Sequence, residues 1–474
     1  MSATSPATDP PRTRTLGELR ASGYEVLPVK DEIRRNVLGR LAAKEPILSG
    51  IWGYDDTVIP QVENALIAGH DLVFLGERGQ AKSRIIRQVV GLLDEWVPTL
   101  EGSEINDNPF APVSRYGREL IDEAGDDAPI SWVHRDERFA EKLATPDASV
   151  ADLIGEVDPI KVAEGRYLSD ELTIHYGLVP RANRGIFVIN ELPDLAERIQ
   201  VALLNVLEER DIQIRGYMIR LPLDILLLAS ANPEDYTSRG RIITPLKDRF
   251  GSQVRTHYPV DSETELKIVD QEARPVSIEN ARVEVPEFMR QLVAEISQRA
   301  RESNHVNHAS GVSVRLTISN YEVMLANALR RSVANGEDEV VPRISDLGAL
   351  AASTAGKIEI ESFTEGQDDR IIEQIVKESI LAVFRSSDRQ ERFRSLISKF
   401  DEGLVVSVGD MEPSMKIIEE VGGDPDLKSA LADLGAGDSP GVLASAIEFV
   451  LEGLHLSKRL NKTPAGDEVT YSRR

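Results

Sequence analysis

The sequence predicts an α/β fold, a parallel sheet carrying a phosphate-binding loop, followed by a mainly helical second half. Three observations point to it. Apolar runs near 71–75, 185–189 and 224–229 lack the alternation of half-exposed strands and read as buried parallel strands. The first run breaks into a glycine-containing loop and then into a helix-periodic segment carrying Lys82 and Ser83. From Ser262 onward, helical spacing dominates.

The loop decides the class of chemistry. Gly76-Glu-Arg-Gly-Gln-Ala-Lys-Ser83 supplies a tight turn whose N–H groups converge on phosphate oxygens, a helix N-terminus, a lysine ammonium and a hydroxyl for Mg²⁺. Glu77, Arg78, Gln80 and Ala81 complete the segment expected to contact the nucleotide. Ala81 stands where the G-x-x-x-x-G-K-[ST] pattern has glycine, and it costs more if the local φ is positive.

At 474 residues the chain should hold about three units. Its net charge of −24, from 79 acids against 55 bases, disfavours a general nucleic-acid or anionic-membrane binder. The absence of cysteine excludes disulfides, thiolate metal sites and a cysteine nucleophile. No apolar run reaches the ~20 residues of a spanning helix and no signal-peptide core precedes the fold, so a soluble cytoplasmic protein without membrane insertion is expected.

Taken in order, residues 1–15 read as a disordered leader, and 30–44 and 58–69 as helices feeding the strand at 71–75. The helix after the loop should bury Ile85, Ile86, Val89, Val90, Leu93 and Trp96. Residues 100–128 look like an irregular connection and 130–134 like a second strand. The strand from Gly185 ends in Asn190-Glu191, at the end of a parallel strand where α/β folds place ligands. Glu191 suits the polarisation of an attacking water; Asn190 can bond a metal-bound water but adds no charge.

An amphipathic helix at 195–206 precedes a β-hairpin at 211–221, and the strand from Asp224 ends at Asn232, placed to hold the water beside a γ-phosphate. Arg249 is a candidate to reach a neighbouring subunit's nucleotide. Ser262-Glu-Thr-Glu265 reads as a capping box. Helical patterns follow at 286–302, 318–334 and 343–355, with Arg315 poised to fold over the phosphates, and again at 365–400 and 413–456, with Ser439-Pro440 opening the last helix. A polar tail is expected from about 460. His305-Val-Asn-His308 has a two-histidine spacing but no third ligand and reads as solvated polar surface. Arg181 and Arg184 fit either a subunit interface or ordinary surface charge.

Together these segments resemble an AAA+ ATPase core, and more narrowly the magnesium chelatase I subunit and the MoxR-type ATPases of the helix-2-insert clade. The resemblance rests on the loop 76–83, on Ile154–Gly165 with Gly177–Glu191 as insert and following strand, and on Ser230–Asp235, Leu246–Gly251 and Gly311–Arg315 as sensor 1, arginine-finger and sensor 2 segments. It covers about residues 50–355. It implies ATP and Mg²⁺ as cofactors, with Gly76, Gly79, Lys82 and Ser83 on phosphates and metal, Asn190 beside the metal, Glu191 as catalytic base, Asn232 as sensor 1, Arg249 as finger in trans and Arg315 as sensor 2. It also implies a homo-oligomeric, hexameric ring and a partner with a von Willebrand factor A domain. The expected division is a disordered or extended leader (1–29), an AAA+ α/β nucleotide-binding domain with helix-2 insert and pre-sensor hairpin (30–259), an all-helical lid (260–360) and a helical C-terminal region with a polar tail (361–474).

The function expected is that of an ATP hydrolase working as a remodelling motor on a partner protein, with a turnover rate left open by Ala81 and Asn190. The alternatives are the ATPase component of a metal chelatase acting on a porphyrin, and a nucleotide-gated scaffold with little turnover. An enhancer-binding transcription activator is weaker, because the Gly-Ala-Phe-Thr-Gly-Ala loop is absent.

Overall fold

The computed structural model describes residues 9–163, 171–208, 212–214, 217–219, 221–232, 241–274, 281–307, 311–360, 367–386, 393–421, 425–432, 434–437, 439–465 and 468–473. The chain forms two compact units, Met1–His257 and Tyr258–Arg474.

The first unit is built on five parallel strands, β1 (Leu72–Leu75), β2 (Phe139–Leu143), β3 (Gly185–Asn190), β4 (Ile225–Ala231) and β5 (Ser252–Arg255), in the order β5-β1-β4-β3-β2. The two-residue pleat sorts the strand side chains between two cores. Leu72, Phe74, Ile186, Val188, Leu226 and Leu228 face helices Val29–Ala43, Val58–Ala68 and Lys82–Gln88. Val73, Phe187, Ile189, Leu227 and Ala229 pack on the other face with Leu153, Ile199 and Leu203. Burial on both faces is why the strands read as unbroken apolar runs. The register pairs Leu75 with Ala231 and Ala229 with Ile189, so the loops after β1, β4 and β3 leave the sheet side by side.

Several expectations need correction. The helix after the loop is regular only over Lys82–Gln88 and continues as a 3₁₀ turn over Val89–Leu92, because the β-branched pair Val89-Val90 before Gly91 is a poor helix former. Ile85, Ile86, Val89, Val90 and Leu93 are buried as expected, but Trp96 begins a strand, Trp96–Leu100, antiparallel to Ile130–His134. The strand at 130–134 therefore lies outside the main sheet. The sheet's edge is instead Phe139–Leu143, whose Phe-Ala-Glu-Lys-Leu pattern suits an edge strand and hid it among polar residues.

Residues 100–128 are not wholly irregular, since Arg115–Ala124 is a helix whose N-cap, Ser114, accepts from Gly117 N. The leader is ordered from Leu16 to Ala21: Thr15 caps this helix, and Leu19 packs with Leu100 and Ile130. The insert folds as antiparallel strands Gly155–Val157 and Ile174–Tyr176, with Pro159–Ala163 helical between them. The hairpin pairs Ile212–Ile214 with Tyr217–Ile219. Residues 164–170, Gly216 and His308 lie outside the described residues.

In the second unit a single hydrophobic core runs from Val269 to Tyr471, shared by the expected lid and C-terminal region. Helices Glu287–Glu302, Gln367–Arg385 and Ser414–Val421 pack against Pro440–Leu456, which is apolar around most of its circumference, as a central helix must be. Ser439 caps that helix through Val442 N, with Pro440 at its first position. The N-cap of Ser262–Glu272 is Asp261, which accepts from Thr264 N, in place of the expected Ser262. Glu265 is buried, bonded to Arg301 at 2.7 and 2.8 Å. The expected polar tail is a strand pair, Asn461–Ala465 with Glu468–Ser472, completed by Val406–Gly409. Tyr471 is buried within it, and its alternation with polar neighbours made these strands look like a solvated tail.

Candidate functional site

The loop Gly76–Ala81 joins β1 to the helix at Lys82. Gly76 N donates to Ala231 O at 3.2 Å, tying the start of the loop to the end of β4. A Cβ on Gly76 would lie 1.9 Å from Thr256 Oγ1 and 2.2 Å from Gln80 Oε1, so glycine is required there by space. Buried Gln80 braces the loop from within: its Oε1 accepts from Glu77 N at 3.0 Å and from Thr256 Oγ1 at 2.7 Å. Tyr54 clamps it from the side, its hydroxyl donating to Gln80 O at 3.0 Å and His257 O at 2.7 Å. Burial pushes the Tyr54 phenol up to about 12.

Lys82 is nine-tenths buried, and its ammonium folds over the loop, donating to Gly76 O, to Glu77 O at 2.6 Å and to Asn232 Oδ1 at 2.9 Å. The lysine and the polar residue after β4, assigned from sequence to one site, are thus in direct contact. Ser83 follows at the second helical position and is half-buried; Arg78 is exposed on the loop.

Backbone strain marks two positions. Gly79 takes φ +78°, which glycine accepts readily, but Ala81 also takes φ +55° and Glu191 takes φ +56°. A left-handed conformation costs an L-residue ~1–2 kcal/mol, and such outliers cluster where function requires them. The Ala81 departure therefore carries the larger of the two costs weighed from sequence. Glu191 N donates to Ser230 Oγ at 3.2 Å, fixing the turn that carries its half-buried side chain.

Asn190 is held from both sides. Its Oδ1 accepts from Ser230 Oγ at 3.1 Å, and its Nδ2 donates to Glu141 on β2. Glu141 in turn takes two bonds from Arg87, at 2.9 and 3.1 Å. Glu141, Arg87, Thr256 and Tyr54 shape the site without a motif to announce them, whereas Gln80 lies in the expected loop and Ser230 opens the segment read as sensor 1. Glu141 and Arg87 had a faint signal in the polar residues of 139–143 and in the i, i+4 spacing of Arg87 from Ser83.

Mg²⁺ takes oxygen ligands, keeps several waters and uses few protein groups beside phosphates. The Ser83 hydroxyl, the Asn190 amide oxygen and the Glu191 carboxylate fit that requirement. No cluster of three or more His, Cys, Asp or Glu able to hold a metal alone occurs among the described residues. Arg249, exposed, ends the helix Thr244–Arg249 in the first unit, while Arg315, exposed, opens a helix of the second. Pro233–Asp235 lie outside the described residues. Of the two arginines left open, Arg184 is buried, donates to Pro98 O at 2.6 Å, and has its pKa lowered to about 10 by burial. Arg181 is exposed, 3.9 Å from Glu104.

A family model described as the sigma-54 interaction domain matches residues 163–247. The chain is 30% identical over 213 residues to the magnesium-chelatase 38 kDa subunit of Cereibacter sphaeroides, covering 42% of this chain and 55% of that protein. It is 26% identical over 263 residues to the chloroplastic magnesium-chelatase subunit ChlI-1 of Arabidopsis thaliana, covering 52% and 58%. The chain thus spans little more than half the length of these relatives. Among solved structures, a complex of magnesium chelatase subunits BchI and BchD aligns at 19% identity and a TM-score of 0.35, covering 69% of this chain and 98% of that one.

Proposed function

We propose that this chain, an AAA+ ATPase resembling the magnesium chelatase I subunit, binds ATP with Mg²⁺ beyond the C-terminal ends of strands β1, β4 and β3 and uses hydrolysis to remodel or activate a partner protein. The observation that carries the reading is the Lys82 ammonium, bonded at once to the loop carbonyls after β1 and to Asn232 after β4. Its three donors are those a triphosphate would take over, and exchange of Asn232 for phosphate oxygen couples the loop to the end of β4.

In this reading Gly76–Ser83 enclose the phosphates, with the helix N-terminus behind them. Ser83 and Asn190 would hold Mg²⁺, which when bound would supply charge neutralisation at the phosphates. Glu191, set by its strained turn, orients and polarises the attacking water. Asn232 positions that water. Arg249 serves a neighbouring protomer's site in a hexameric ring, and Arg315 belongs to the lid. The insert (roughly 155–180) and the hairpin at 211–221 line the ring's pore or contact the partner, and a protein with a von Willebrand factor A domain is the partner that the family resemblance implies. No described helix is long and apolar enough to cross a membrane.

The test is hydrolysis and binding measured separately on the full chain. Lys82→Ala should abolish ATP binding; Glu191→Gln and Arg249→Ala should retain binding and lose hydrolysis. Binding without turnover in the natural chain supports the scaffold, a reading favoured by the missing carboxylate at position 190. The metal-chelatase reading is favoured by the relatives' names, and porphyrin metallation in a mixture with the other chelatase subunits would support it.

A further inference from the structure

We infer that Glu141 is the positioning residue that replaces the carboxylate missing at position 190: it fixes the Asn190 amide with its oxygen available to the metal and supplies the negative charge from one hydrogen bond away. This rests on the nucleotide reading above. The physical steps are few. A carboxylate offers only acceptor atoms, so the Asn190 Nδ2 must face Glu141 and its Oδ1 must face the Ser230 hydroxyl. The amide orientation is therefore dictated by chemistry. Oδ1 accepts one hydrogen bond from Ser230 and keeps a second lone pair.

The carboxylate is itself held. Arg87 grips both Glu141 oxygens, and Arg87 lies four residues after Ser83, on the same helix face. Glu141 is only 20% exposed, whereas Arg87 is 63% exposed, so the cation is the better screened of the two and the pair leaves net negative character toward Asn190. β2 runs parallel to β3 with Leu143 opposite Asn190, which puts Glu141 two residues back along the neighbouring strand, on the same face of the sheet as Leu143. A simple surface ion pair between strand and helix would need no contact with Asn190.

The two accounts separate in a double-mutant cycle on the full chain. The readout is binding of a non-hydrolysable ATP analogue by calorimetry, with and without Mg²⁺. Glu141→Gln should leave metal-free binding unchanged and cut the Mg²⁺-dependent gain in affinity about tenfold, the low end for loss of a group that orients a metal neighbour. Asn190→Asp alone sets two carboxylates in contact, and should lower the melting temperature without raising the gain. Asn190→Asp with Glu141→Gln exchanges amide and acid while keeping the hydrogen bond, and should restore both the gain and the melting temperature. The inference is overturned if Glu141→Gln leaves the gain unchanged, or if Asn190→Asp raises it equally with and without Glu141. Should the natural chain bind the analogue no better than Lys82→Ala, the nucleotide reading itself fails, an outcome distinct from either.

Discussion

Two clusters of polar and charged side chains, one in each unit, differ in burial and in backbone strain. In the first, Lys82, Asn232, Asn190, Glu141 and Arg87 line the end of a sheet, partly open to solvent, beside two left-handed non-glycine residues. In the second, Arg331, Asp346, Arg343 and Glu448 are buried, and none of them takes a positive φ. Arg331 bonds both Asp346 oxygens at 2.5 and 2.6 Å, Asn327 and Arg343 N add to the same carboxylate, and Arg343 Nε lies 3.2 Å from Glu448. The second cluster is buried on unstrained backbone, although Arg331 Nε, Arg343 Nε and Nη1 and Glu448 Oε1 find no hydrogen-bond partner among the described residues, whereas the first sits beside left-handed backbone and is partly open to solvent. Charge density alone therefore does not mark a site; strain and access together do.

The largest expected effect tests that contrast by making one chemical change in both places. Asp346→Asn leaves the Arg331 guanidinium buried without a counter-charge, which costs about 3–5 kcal/mol. Glu141→Gln loosens a pair whose arginine is mostly exposed and costs less than about 1 kcal/mol. Urea unfolding followed by circular dichroism measures both. All three tryptophans, Trp52, Trp96 and Trp132, lie in the first unit, so fluorescence tells which unit has opened. Asp346→Asn should bring a circular-dichroism transition ahead of the fluorescence one. Equal losses from the two substitutions would break the comparison.

A smaller effect depends on pH. Tyr54 holds the phosphate loop with a neutral hydroxyl whose pKa is raised from 10 to about 12, mainly by burial. A raised folded pKa favours the protonated form in the fold, so this contribution is fully present below pH 10 and is lost as pH rises to 12. Two pKa units amount to about 3 kcal/mol at most. Tyr54→Phe should be about 1 kcal/mol less stable at pH 8, from the two lost hydrogen bonds. Above pH 11 the order should reverse, because phenylalanine has nothing to ionise. Parallel stability curves for the two proteins would show that the hydroxyl is not confined as described.

The same contrast explains what the sequence disclosed. The core strands were legible because burial on both faces leaves Leu-Val-Phe-Leu and Ile-Leu-Leu-Leu unbroken, and the loop was legible because its chemistry needs fixed spacing. The contact between Lys82 and Asn232 was foreseeable only as a place in a series. Glu141 was hidden because its strand lies at the sheet edge, where polar residues are tolerated and the apolar signal fades. In the second unit, no spacing in the sequence pairs Arg331 with Asp346, which come together from two different helical segments. The strands at 461–472 were missed for a related reason: one face is solvated, and the other rests on a core assembled from distant segments.

The smallest effect bears most directly on the strain. Ala81→Gly removes a left-handed penalty of ~1–2 kcal/mol but adds unfolded-state entropy worth about 0.4–1 kcal/mol. The net expectation is a gain between zero and about 1.6 kcal/mol. The second unit offers a matched control in Lys458, its sole described non-glycine residue at positive φ, at +61°. Lys458→Gly should give a similar gain in stability, since the backbone argument is the same. Only Ala81→Gly should also change nucleotide affinity, because only that strain sits in the loop proposed above to enclose the phosphates. If calorimetry finds the affinity unmoved while both proteins gain stability, Ala81 is simply a tolerated cost, and strain ceases to distinguish the first cluster from the second.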